Sequence, residues 1–220
     1  MNYFNTAICC SVFTLVGCAT QSKNTGGLEE TLSPNANGPP GTLVYRSPTL
    51  QKGQYKSLLV ESAEVYRGAD ADFGKTSEED KTRLAGEITT DFTNALTKRK
   101  YPLTHDTGPG VVRLHLTLAG VKGSQPVAAT LLRLTPLGLT LSAAETAGDR
   151  SPVFVGSVTI SGKLIDAQTG EVLAAFMATE SPIALDVTSG LGSLRAAELG
   201  IARGADDFVD AMDRALNRPH

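Results

Sequence analysis

Apolar positions along this chain follow two periods, and the period changes several times after Gln51. Leu84, Ile88, Phe92, Ala95 and Leu96 recur at helical spacing, which predicts one long helix beginning near Ser77. Ser77 can cap the free N–H groups at its start, and Glu78, Glu79 and Asp80 complement the positive end of the dipole. Lys98, Arg99 and Lys100 stand at the negative end, and Pro102 blocks continuation. A second amphipathic helix is predicted over 194–216, with Ile201, Ala205, Phe208, Met212 and Leu216 on one face.

Elsewhere the period is two. Residues 55–66 hold Leu58, Leu59, Val60 and Val65 and read as a first strand, followed by a loop from Gly68 to Gly74. Val111 to Val121 alternates Val112, Leu114, Leu116 and Leu118 with Arg113, His115 and Thr117, so one face is buried and one wet. Phe154 to Ile165 alternates likewise through Phe154, Val158, Ile160 and Leu164. Asp166 to Gly170 is a turn, because Asp can bond the backbone ahead of it and Gly accepts positive φ. Glu171 to Thr179 returns as the partner strand of a hairpin. The order strand, helix, strand, variable middle, hairpin, helix predicts an α+β fold: a mainly antiparallel sheet with two long helices packed on one face. A single domain is expected over 51–220.

The N-terminal fifty residues differ. Residues 7–16 form a run of about ten apolar residues, too short to span a bilayer but right for the h-region of a signal peptide. Leu15, Val16, Gly17 and Cys18 follow, a sequence that resembles the bacterial lipobox. The resemblance implies a signal peptide over 1–17 and Cys18 as the first residue of the mature protein. It would carry a diacylglycerol thioether and an N-acyl chain, and several chains suffice for stable attachment where one is marginal. Ala19 in place of Asp implies sorting to the outer membrane. The segment departs from the pattern in having no Lys or Arg within 1–17. The competing reading is a buried N-terminal strand with a core cysteine. Residues 18–50 are rich in Gly, Pro, Ser, Thr and Asn and read as a flexible tether with an end-to-end distance of roughly 30 Å.

Composition narrows the function classes. Net charge is -3 over 220 residues, which argues against an electrostatic grip on nucleic acid. Aromatics are 5% and Trp is absent, so sugar- or base-stacking platforms are not expected. Cys9, Cys10 and Cys18 are the only cysteines, so nothing downstream of Cys18 can be a thiol nucleophile or a thiolate ligand.

Three stretches together resemble a group of Gram-negative envelope lipoproteins, domain-of-unknown-function (DUF) family 3313. They are the lipobox at 15–18, the strand and turn at 154–158 and 164–175, and Leu132 to Gly138. The resemblance covers roughly 50–220 and implies a β-rich periplasmic domain. It implies no activity. Phe176, Met177 and Ala178 stand where the family usually places acidic and basic residues.

Candidate chemistry is sparse. Phe73-Gly74-Lys75-Thr76 looks like the end of a phosphate-binding loop, but Ala69 occupies the place of the first Gly, so a loop before a helix is the better reading and no nucleotide is expected. Asp70 and Asp72 offer carboxylates without the remaining ligands of a calcium loop, and no metal is expected. His105-Asp106 and His115, with Ser189 as the nearest thing to a nucleophile, lack the sharp turn of a hydrolase; His220 is terminal. Glu61 with Glu64, or Asp206, Asp207 and Asp210, are pairs of acids of the kind glycan cleavage uses, the second set reading as the polar side of the last helix. No catalytic residue is therefore assigned. Residues 127–144 are apolar apart from Arg133; they read as a buried segment covering the sheet, as an exposed patch whose Leu131, Leu134, Leu137 and Leu139 contact a partner or a lipid, or as a membrane span, a reading that Arg133, Pro136 and Gly138 weaken. The expected function is non-enzymatic: a lipid-anchored outer-membrane protein whose periplasmic domain binds an envelope protein, the alternative being a lipid- or peptidoglycan-binding module.

Overall fold

The computed structural model describes residues 26–36, 39, 41–51, 53–122, 156–181 and 194–216. Cys18, Leu131, Leu134, Leu137, Leu139, Ser189, His220, the start of the strand expected from Phe154, and the whole signal peptide lie outside the described residues. The fold is α+β. Seven described strands form one sheet: β1 (Ser33–Pro34), β2 (Leu43–Arg46), β3 (Ser57–Val60), β4 (Glu64–Val65), β5 (Val111–Lys122), β6 (Ser157–Asp166) and β7 (Val172–Glu180). Two described helices, α1 (Glu78–Lys98) and α2 (Arg195–Leu216), cover one face. Strand order is β1-β2-β7-β6-β5-β3, with β4 also on β5.

Helix α1 forms where its caps and apolar stripe demand. The Ser77 hydroxyl accepts from the Asp80 N–H at 3.1 Å, and Leu84, Ile88, Phe92 and Leu96 are fully buried. The helix ends at Arg99, where Lys100 takes φ 57°, a left-handed conformation that lets the Tyr101 N–H return to the Leu96 carbonyl at 3.0 Å.

The hairpin β6–β7 closes at its expected turn. Asp166 Oδ1 accepts from the N–H groups of Gln168 and Thr169, each at 2.8 Å, and Gly170 supplies φ 76°. Fixing these N–H groups on one carboxylate, Thr169 foremost, holds the Asp166 carboxyl below its ordinary pKa.

Two expectations are corrected. The predicted strand over 55–66 is two short strands, both parallel to β5; the rest of the sheet is antiparallel, so it is mainly antiparallel as expected. The break falls at Glu61–Ala63, where the Ala63 N–H leaves the ladder and donates to Thr89 Oγ1 on α1 at 2.8 Å. Parallel pairing follows from connectivity: a whole helix separates these strands from β5, so no tight turn can return the chain antiparallel.

The second correction concerns the tether. Within 26–50, two described stretches join the sheet rather than leading up to it: β2 with β1 at its edge, and Gly26 to Leu32 on its face. Val44 pairs with Phe176 and Arg46 with Ala174, making β2 a neighbour of β7. On the face away from the helices, Leu28 packs with Ala175 and Met177, supported by Leu32, Leu43 and Tyr45. The Ser161 hydroxyl donates to the Gly26 carbonyl at 2.6 Å. A four-residue strand is too short to show a period, and its burial comes from β7, far off in sequence.

The two helices are tied at one end by a buried acid. Asp213, 2% exposed, accepts from Arg99 Nη1 at 2.7 Å and from the Tyr101 hydroxyl at 2.7 Å, while Arg99 Nη2 meets Asp210. Asp213→Ala is expected to lower unfolding free energy by about 3 kcal/mol, because it removes the carboxylate that accepts from a buried hydroxyl and a guanidinium. Asp210→Ala, at a half-exposed position, should cost less than about 1 kcal/mol. Urea denaturation of the two variants tests the difference; equal costs would refute the clasp.

Candidate functional site

The sheet's helix face is not wholly covered. Along β7 the residues pointing to this face are Ala174, Phe176, Ala178 and Glu180, and their neighbours on β2 are Val44 and Arg46. Helix α2 runs antiparallel to β7: Gly204 lies against Glu180, whereas Phe208 reaches Phe176. The helix approaches the sheet closely at its upstream end. A Cβ on Gly200 would stand 2.6 Å from Val158 Cγ1, so only glycine permits that contact. Downstream the apolar stripe of α2 loses its cover. Ile201 is fully buried, Phe208 and Met212 are half-buried, and Leu216 is 43% exposed.

The result is a groove of about 940 Å³ between the downstream half of α2 and the β2–β7 side of the sheet. Val44, Ala174, Phe176, Ala178, Phe208, Met212 and Leu164 give it an apolar wall and floor. Small residues on both sides (Ala174 and Ala178 on the sheet, Gly204, Ala211 and Ala215 on the helix) keep it open. Three rings form the floor's support: Phe92 to Phe208 at 5.4 Å, Phe176 to Phe208 at 5.2 Å and Phe92 to Phe176 at 6.5 Å between centroids. Size and lining are those of a small-molecule site.

Charge is sorted along it. Glu180 and Asp207 stand at one end, where α2 touches the sheet. Arg46, opposite Ala174, together with Lys56 and Arg214 lies toward the other. Glu180 is 7% exposed, and among the described residues no hydrogen-bond donor reaches its carboxylate. Burial first, and then the Asp207 charge, raise its pKa; Arg203 opposes them. Asp207 is raised for the same reasons, burial before the Asp210 charge. Tyr55, at the basic end, is pushed up to about 12, by burial first and then by donating to Asp166 Oδ2 at 2.7 Å.

The residues singled out in the sequence fall elsewhere, with one exception. Asp207 lines the groove instead of the solvated side of its helix; Asp210 is drawn to Arg99, and Asp206 is exposed. Glu61, Glu64 and His115 come together on the opposite face of the sheet. His115 Nδ1 lies 2.9 Å from Glu61 Oε2, its Nε2 lies 3.9 Å from Glu64 Oε2, and Arg113 donates to Glu61 Oε1 at 2.8 Å. His115 is thus half-buried among charges rather than simply exposed. Among the described residues no hydroxyl is bonded to His115 or to the exposed His105. Phe73-Gly74-Lys75-Thr76 is a turn with the Phe73 ring buried under Lys81 Nζ at 4.7 Å, and acids crowd the helix start where a phosphate would have to sit. Asp70 accepts from Tyr66 at 2.7 Å and Asp72 faces Lys122, so the two carboxylates diverge. No cluster of metal-ligating side chains occurs among the described residues, and no described helix is long and apolar enough to cross a membrane. Sequence reasoning missed Glu180. The available signal was an acid closing a strand whose other inward positions are Ala, Phe and Ala.

The sequence matches the DUF3313 family, described as a protein of unknown function, over residues 23–208, and the chain belongs to that family. No curated protein sequence matches it. Three solved structures show a loose likeness. The PelC dodecamer from Paraburkholderia phytofirmans is 12% identical, with 76% of this chain and 96% of that chain covered and a TM-score of 0.38. A DUF330 protein from Xanthomonas campestris is 9% identical, with coverage of 76% and 88% and a TM-score of 0.39. A minor lipoprotein from Acinetobacter baumannii is 10% identical, with coverage of 73% and 94% and a TM-score of 0.30. Likeness at this level carries no conclusion about function.

A carboxyl whose pKa is raised in the folded state favours folding in its protonated form. Its ionisation penalty is absent below the ordinary value of 4.5, grows as pH rises through the folded value, and is complete above it. Glu180→Gln should therefore raise Tm at pH 7.5, and the gain should vanish near pH 4. Thermal melts at both pH values test this; a lower Tm for the variant at pH 7.5 would show that Glu180 has a stabilising partner.

Proposed function

We propose that this is a lipid-anchored envelope protein, attached to the outer membrane through Cys18, whose periplasmic domain works by binding rather than by catalysis. The lipobox-like Leu15 to Cys18 supports the anchor. The groove is the observation that carries the binding reading. It is large, apolar and unfilled by the described residues. Its ligand is an apolar envelope component, a lipid or another amphiphile. The second reading, an envelope protein partner, is favoured by the apolar Leu131, Leu134, Leu137 and Leu139, where such a partner would bind.

Anchoring is tested by palmitate labelling and membrane fractionation of wild type and Cys18→Ser. Wild type should label and sediment with the outer membrane, and the variant should do neither. An unlabelled wild type would remove the anchor. In-cell cross-linking of the same pair separates the ligand classes: a defined protein recovered only with Cys18 intact would favour the second reading.

A further inference from the structure

We infer that the groove selects amphiphiles with a cationic head, a protonated amine on a single alkyl chain, and that Glu180 with Asp207 reads the head. This inference rests on the groove's role in binding and names its ligand class.

Shape comes first. From Ala174 to Glu180 the groove follows β7 for six residue steps, roughly 20 Å at about 3.4 Å each. An extended peptide would find no partners for its backbone on this floor: it is the face of a sheet, whose N–H and C=O groups point along the sheet to neighbouring strands and not into the groove, so the peptide's own groups would be buried unpaired. An alkyl chain has no such groups.

Charge then decides the head. Arg46, Lys56 and Arg214 are exposed, and a solvated cation gains little from an anionic head. Glu180 is the opposite case. It is more than nine-tenths buried, lines the groove, and meets no hydrogen-bond donor among the described residues. Asp207 beside it adds a second carboxylate facing the same end; Arg203 opposes both, and Arg214 opposes Asp207. An ammonium group brings three donors to a carboxylate that receives none among the described residues, and a positive charge beside two acids. The desolvation of Glu180 is already incurred by folding, so pairing it is favourable on binding.

The test uses the full chain carrying Cys18→Ser, prepared without detergent. Dodecylamine, dodecan-1-ol and dodecanoate are titrated calorimetrically at pH 7.5, below their micellar concentrations. Dodecylamine should bind at least tenfold tighter than the other two. Glu180→Gln should remove that preference while leaving dodecanol within twofold; the variant is expected to be no less stable than its parent, so the loss cannot be unfolding. Ala178→Phe should abolish binding of all three by filling the floor. Binding of dodecanoate as tightly as the amine, or an amine preference that survives Glu180→Gln, would overturn the head-group assignment and leave the groove as an amphiphile site. Failure of all three to bind, or binding that survives Ala178→Phe, would overturn the groove reading itself. A blocked hexapeptide of alternating leucine and lysine that displaces the amine at equal affinity would assign the site to polypeptide and overturn the amphiphile.

Discussion

Phe176 is the point where sheet, both helices and groove meet. Its ring packs with Phe92 of α1 and Phe208 of α2, and it stands over Gly162 of β6. A Cβ at position 162 would lie 2.4 Å from the ring, so the residue across the ladder has to be glycine for the ring to lie down on the sheet. Lying down, it touches Phe92, which is fully buried, on one side and faces the groove on the other. The core therefore ends at a wall of aromatic surface instead of at polar residues. Everything beyond it toward β2 is a face that two helices, seated over β5, β6 and β7, do not reach.

Two carboxylates near α2 show how differently the fold treats buried charge. Asp213 is as buried as Glu180, yet Arg99 and Tyr101 meet both of its oxygens. Its cost is offset within the chain, and its role is to hold the C-terminal ends of the helices together. Glu180 receives no such pair among the described residues. A fold that can satisfy one buried acid with a guanidinium and a phenol, and leaves a second one in an open groove without either, has placed the second where something else can meet it.

The helices and long strands were legible because each carries enough periods to be read locally. Ser77, the buried stripe of α1, the β5 alternation and the Asp166 turn all appear as the sequence predicts. What failed was nonlocal. β2 is four residues long and takes its burial from a strand about 130 positions away, so Leu43 to Arg46 looked like tether. Parallel pairing of β3 and β4 depends on the path of the chain, not on their residues. The groove was unreadable for a related reason. The α2 stripe of Ile201, Ala205, Phe208, Met212 and Leu216 is continuous in sequence, and periodicity states which face is apolar without stating whether anything lies against it. Asp207 belonged to the polar side by period, but it lines the groove beside Phe208.

The correction to the tether changes how the proposed anchor would act. Gly26 is fixed to the face of the sheet away from the helices, by its carbonyl bond to Ser161 and by contact with Met177. Only eight residue steps then separate it from Cys18, a reach of at most about 29 Å rather than that of a long free linker. Leu28 and the Glu30–Lys163 pair continue along the same face. Gly26 thus lies on the side opposite the groove. With Cys18 anchored as proposed, attachment and binding would use separate faces of the domain. A short tether fixed to one face also restricts which way the domain turns, and that is a property a 30 Å random coil attached at residue 50 would not have.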